Sequence, residues 1–156
     1  MINNAYMMIS VDGLAFSGKN KPAHSIVRSR LINRTWPIYQ KTQYKNKFST
    51  GDQLYFYVGG RRSHKFSILG KAIIDDVSGQ VNFEYSHEID HALTDNPSQI
   101  LMLRKVKIFE NPISILALRK NLSFIGTHKK WGIYMQGGVK NLSLSDVSLI
   151  EKNYSA

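Results

Sequence analysis

The run Gln53-Leu54-Tyr55-Phe56-Tyr57-Val58 constrains this chain most, because Gly51-Asp52 turns into it and Gly59-Gly60 turns out of it. A short run of aromatic and β-branched residues between such turn signals reads as a strand. Ala5-Tyr6-Met7-Met8-Ile9-Ser10-Val11 reads as an opening buried strand, ended by Asp12-Gly13. Phe66 to Ile74 is a further strand, and Gly70 in its middle signals a bulge or a close backbone approach. Val81 to Tyr85 is short and alternating. Ile100 to Phe109 alternates apolar with basic residues at Val106-Lys107-Ile108, as a strand exposed on one face does.

The helices are short and scattered. Ser25 is placed to cap one whose inward residues are Ile26, Val27 and Leu31, with Arg28, Arg30 and Arg34 facing out. Pro112 and Ser114 are expected to open a second, carrying Ile115, Leu116 and Leu118. Leu144-Ser145-Asp146 starts a last helix with Val147 and Ile150 inward. Trp131 to Met135 reads as a loop or short strand closed by Gly137-Gly138. Strands in the middle with dispersed helices favour α+β, with a curved or closed antiparallel sheet, over a doubly wound α/β fold. At 156 residues, one domain over 1–156 is expected.

Charge narrows the partners. Lys plus Arg number 21 against 11 Asp plus Glu, a formal net charge of +10. A field of that sign attracts polyanions, nucleic acid first and acidic membrane surfaces second. The other reading is an interaction domain whose charge is incidental. The sequence has no cysteine, which excludes disulfides, thiol nucleophiles and cysteine-ligated zinc. No apolar run approaches a membrane span, and Met1-Ile2-Asn3-Asn4 lacks the features of a secretory signal, so a cytoplasmic location without membrane contact is expected. There is no P-loop, dinucleotide fingerprint or G-x-S-x-G elbow, so neither a cofactor nor catalysis is expected.

One motif points the other way. His87-Glu88-Ile89-Asp90-His91 matches H-E-x-x-H. On a helix that spacing sets two imidazoles on one face for zinc with the glutamate as general base, and Glu110 could add a third ligand. Against this, Asp90 puts a charge within the motif, and the breaker Asn96-Pro97 leaves little room for a buried helix. A chance occurrence in a loop is the plainer reading, and a zinc-dependent hydrolase is the enzymatic alternative.

Two stretches in order carry a family resemblance. The first holds Thr35-Trp36-Pro37-Ile38-Tyr39, a basic segment, Gly51-Asp52-Gln53-Leu54-Tyr55-Phe56-Tyr57, and Leu69-Gly70-Lys71-Ala72. The second holds Pro112-Ile113-Ser114, Leu122-Ser123-Phe124-Ile125, Lys130-Trp131-Gly132, Gly137-Gly138-Val139 and Leu144-Ser145-Asp146. From about Tyr6 to Ile150 the chain resembles the EVE domains of the PUA-like superfamily, which also holds the YTH readers. The resemblance implies a twisted, barrel-like, mostly antiparallel sheet flanked by short helices, with a pocket for an extruded base. It implies a reader of a methylated base, preferably in DNA and otherwise in RNA, as a monomeric domain. Some relatives are fused to modification-dependent restriction enzymes, so a fused or associated nuclease or NTPase is an expected partner.

A reader of this kind takes the base out of the stack, at roughly a few kcal/mol, and regains about 1–3 kcal/mol per base by aromatic stacking. It therefore needs loop aromatics, polar groups for the base edge and a basic rim for phosphates. Trp36 lies outside an obvious strand, falls on the position of the family's cage tryptophan and lies among Arg34, Lys41, Lys45 and Lys47; the bland alternative is that it packs under a loop. Tyr57 and Tyr39 are second-rank pocket candidates, although most strand tyrosines are core. Ser10 and Asp12, at the end of the first strand, could reach the base edge or merely cap a turn. Trp131, after Lys129 and Lys130, is read as chiefly structural, with sugar or base contact as the alternative. Gly59-Gly60-Arg61-Arg62-Ser63-His64-Lys65 offers backbone N–H groups, two arginines and Lys65 to phosphate, or is a solvated hairpin turn.

Overall fold

The computed structural model describes residues 3–10, 13–14, 20–38, 46–59, 66–78, 99–123, 125 and 138–154. The elements in chain order are β1 (Ala5–Ser10), β2 (Gly13–Leu14), β3 (Asn20–Lys21), α1 (Ala23–Ile32), β4 (Thr35–Ile38), β5 (Gln53–Val58), β6 (Ser67–Ser78) and β7 (Gln99–Ser114), followed by α2 (Ile115–Leu118), β8 (Val139–Leu142) and α3 (Leu144–Asn153). Six strands form one sheet in the order β4-β7-β6-β5-β1-β8, and β2 pairs with β3 apart from it. Among the described strands of the large sheet only β1 and β5 run parallel, with Ala5 opposite Gln53 and Ser10 opposite Val58. The crossover between them contains α1, as a parallel pair requires.

Both faces of the central strands are covered, which explains their near-continuous apolar runs. Tyr6 and Met8 of β1 join Leu54, Phe56 and Val58 of β5 in one core, beneath Val27 and Leu31 of α1. Met7 and Ile9 join Tyr55 and Tyr57 in a second core, beneath Ile115 and Leu118 of α2 and Ile150 of α3. The inward residues expected for α1 and α3 are buried accordingly, Val147 only partly.

The sheet curls. In a flat sheet β4 and β5, three strand spacings apart, would sit roughly 14 Å from each other. Instead Trp36 of β4 packs on Phe56 of β5 with ring centroids 4.8 Å apart. The bend comes from the long β6–β7 ribbon, whose register shifts between Ile68 and Gly70, between Lys71 and Ile73, and between Ile74 and Asp76. Lys105 takes a positive φ of 50° within it. Gly70 serves both roles the sequence suggested: it flanks a shift, and an added Cβ would lie 2.5 Å from the Lys107 carbonyl oxygen and 2.9 Å from Leu31 Cδ1.

Local expectations are corrected in four places. Ser25 is the third residue of α1 rather than its cap, because Pro22 precedes the first turn with φ −65° and its carbonyl accepts from Ser25 and Ile26 N–H. Arg30 is buried rather than outward. Pro112 lies within β7, in the irregular stretch between Ile108 and Ile113, so α2 begins only at Ile115. Trp36 belongs to a strand, and Pro37 is tolerated because β4 is the edge of the sheet. The segments Val81 to Tyr85 and Trp131 to Met135 lie outside the described residues.

Candidate nucleic-acid interface

The Gly51-Asp52 turn sets the register on which the site depends. Gly51 adopts φ +94°, which glycine takes without strain. Asp52, buried, accepts from the Asn4 backbone N–H at 3.1 Å and the Ser49 backbone N–H at 2.9 Å, tying the start of β1 to that of β5. The carboxyl ends of this parallel pair therefore finish together, where Gly59 N–H donates to the Ser10 carbonyl at 2.7 Å. Ile9 N–H donates to the Gly138 carbonyl at 2.8 Å, bringing the start of β8 to the same rim.

On the α1 face the sheet presents Trp36, which is 3% exposed. Its ring meets Phe56 at an interplanar angle of 41°. Arg30 of α1, itself 8% exposed, lies over the indole with its guanidinium carbon 4.8 Å from the ring centroid. Ser10 is buried and by alternation shares this face with Tyr6 and Met8. Tyr57 is on the opposite face, packed in the second core, and burial raises its hydroxyl pKa well above the usual range. The structure thus groups Trp36 with Ser10 by face and separates both from Tyr57, which is no second wall for Trp36.

Arg34 is exposed just after α1, with a positive φ of 58°. Asp12, Tyr39, Lys41, Lys45, Arg61, Arg62, Lys65, Lys129, Lys130 and Trp131 lie outside the described residues, as do His87, Glu88 and His91 of the zinc alternative. Glu110 is an exposed residue of β7, and no group of three or more potential metal ligands occurs among the described residues. None of the described helices is long and apolar enough to cross a membrane.

Sequence reasoning missed two residues here. Arg30 looks like a solvent-face residue because its partner, Trp36, sits on a strand whose pairing is long-range. Gln99 opens β7 and pairs with Ile38, and its Oε1 is buried without a hydrogen-bond partner. Its signal was a single polar residue at the same parity as Leu101 and Leu103, visible once the strand is extended to its first residue.

A cavity of about 190 Å³ opens on the α3 face beside Tyr55, Lys71, Lys105 and Glu151. There Lys71 Nζ donates to Glu151 at 2.7 Å, and burial first, then the Glu151 charge and hydrogen bond, raises the Tyr55 pKa. The carboxylate is occupied in fastening α3 to the sheet.

No family model matches this sequence, and no curated protein does. Solved structures do resemble it. The N-terminal domain of Staphylothermus marinus McrB superposes with a TM-score of 0.61 at 12% identity, covering 95% of this chain and 93% of that one. Human THYN1 protein, in complex with DNA containing 5-methylcytosine, gives 0.59 at 11% identity over 99% of each chain. ASCH from Zymomonas mobilis gives 0.58 at 11% identity, covering 97% and 96%. At these identities the likeness speaks for the fold. The described residues form an α+β, PUA-like fold: a curled, mixed six-stranded sheet between short helices.

Proposed function

We propose that this protein is a nucleic-acid-binding module that recognises a methylated base extruded from DNA onto the α1 face of its sheet. The observation that carries this reading is the fold shared over 99% of both chains with human THYN1, whose structure holds DNA containing 5-methylcytosine. The net charge of +10 supplies the attraction to a polyanion.

Trp36 is the stacking platform, reached when Arg30 leaves the indole, and Ser10 lies on the same face of the sheet with Asp12 following it. Arg34 holds phosphate, together with Arg61, Arg62, Lys65, Lys41, Lys45, Lys129 and Lys130. An arginine suits both posts, since its planar guanidinium stacks on an indole and grips phosphate bidentately. The module acts by binding rather than catalysis and lends specificity to a fused or associated nuclease or NTPase.

The test is titration of duplexes identical except for one 5-methylcytosine or one N6-methyladenine, with the wild type and Trp36→Phe, at two salt concentrations. A preference for a methylated duplex that falls in Trp36→Phe is expected. Binding that ignores both methyl groups would refute the reading and leave a basic domain with general affinity for nucleic acid.

A further inference from the structure

We infer that Gln99 reads the hydrogen-bonding edge of the extruded base and restricts the ligand to bases with an exocyclic amino group, of the cytosine or adenine type. The inference rests on the base-binding reading above.

In the β4–β7 ladder Trp36 is opposite Leu101 and Ile38 is opposite Gln99. Directly opposed residues of an antiparallel pair share a face, and Trp36, Ile38, Leu101 and Leu103 all lie in the α1-side core. Gln99 therefore projects to the same face, diagonal to Trp36, a separation of about 7–8 Å that a long side chain spans. Its Oε1 is shut off from solvent and accepts no hydrogen bond. Native proteins rarely leave a buried acceptor unmade, and one that remains calls for an explanation, which a ligand supplying the missing donor would provide.

A carboxamide presents an acceptor and a donor side by side. Oε1 can accept an exocyclic N–H of cytosine or adenine while Nε2 donates to the adjacent ring nitrogen. Both 5-methylcytosine and N6-methyladenine keep an exocyclic N–H, so methylation leaves this contact available. Thymine has the same 5-methyl group as 5-methylcytosine but an oxygen in place of the amino group.

That pair of bases supplies the experiment. Three duplexes differ at one position opposite guanine, carrying 5-methylcytosine, cytosine or thymine, and binding is measured for the wild type, Gln99→Leu and Gln99→Glu. The thymine mispair is the easiest of the three to extrude, so extrusion alone would favour it. The wild type is expected to prefer 5-methylcytosine over thymine about tenfold, as one buried hydrogen-bonded contact provides. Gln99→Leu should lose that preference, keep its preference for 5-methylcytosine over cytosine, and melt no lower than the wild type. Gln99→Glu keeps the shape and removes the donor, and should lose the same preference. If the wild type selects N6-methyladenine instead, hypoxanthine takes the place of thymine. Retention of amino-over-oxo selectivity in both variants, or its absence from a wild type that does select the methylated base, would overturn the role of Gln99 while leaving the base-binding reading standing. A wild type blind to methylation overturns both.

Discussion

Arg30 lies over the ring of Trp36 inside the protein, the guanidinium carbon 4.8 Å from the indole centroid and neither residue more than 8% exposed. The contact joins α1 to the edge strand β4 and holds the curled end of the sheet against Phe56. A desolvated cation–π pair is worth about 2 kcal/mol, and the indole adds its own buried area. Trp36 is thus structural in this state, whatever it stacks on when a base is present.

Truncating it should show this directly. Trp36→Ala is expected to cost about 3–5 kcal/mol in urea unfolding, the range for emptying a large aromatic site. Trp36→Phe retains a ring against Phe56 and should cost about 1–2 kcal/mol, which makes it the variant to use in binding work.

Gly70 is held by contact rather than by backbone conformation. The Lys107 carbonyl oxygen stands 2.5 Å from where a Cβ would be, and it is main chain within a paired strand, so it has little room to yield. Gly70→Ala should therefore destabilise by about 1–3 kcal/mol, the range of overpacked sites, although alanine is the smallest possible change. A melting temperature equal to the wild type would mean that the β6–β7 ribbon bends at this point at no cost.

What the sequence disclosed follows from the range of the interactions involved. β1 and β5 were readable because burial on both faces writes a continuous apolar run into neighbouring residues, and Gly51-Asp52 announces its turn locally. Gly70 was readable because glycine inside a strand has few explanations. Thr35–Ile38 was not, since four residues containing a proline carry no periodicity and become a strand only through Ile100, Leu101 and Met102, far along the chain. The environments of Arg30 and Trp36 were hidden for the same reason. Gln99 stood just outside the apolar run that marked its strand, and only register with Ile38 sets it beside Trp36.

Asp146 gives a pH signature. It is fully buried at the first turn of α3, where Ser143 caps the helix and the two residues form a reciprocal capping box. Its carboxylate also accepts from the Ser123 backbone N–H at 2.8 Å and the Ser123 hydroxyl at 2.6 Å, tying the segment after α2 to α3. Burial alone would raise its pKa; the hydrogen bonds from Ser123 and Ser143 outweigh it and hold the carboxyl below its ordinary 3.8. A group depressed on folding contributes stability above its unfolded pKa and loses it as pH falls through the folded value. Stability should thus decline below about pH 4 in the wild type. Asp146→Asn should cost about 2 kcal/mol at pH 7 and flatten that decline, which unfolding curves between pH 3 and 7 would resolve.

Arg34 separates stability from binding in one substitution. It follows the last turn of α1 in the left-handed region, its N–H donating to the Leu31 carbonyl and its carbonyl accepting from Leu103 N–H. Glycine is the residue that usually fills this place after a helix. A left-handed conformation costs a side-chain-bearing residue about 1–2 kcal/mol, and glycine's extra unfolded-state entropy returns about 0.5–1 of that, so Arg34→Gly should gain roughly 0.5 kcal/mol. If the guanidinium holds a phosphate, the same change removes one neutralised charge, and the slope of log K against log salt should flatten by about 0.9. The expected variant is therefore slightly more stable yet binds DNA more weakly and with less sensitivity to salt. An unchanged slope, measured on the same duplex over 50–200 mM salt, would remove Arg34 from the phosphate-contacting set.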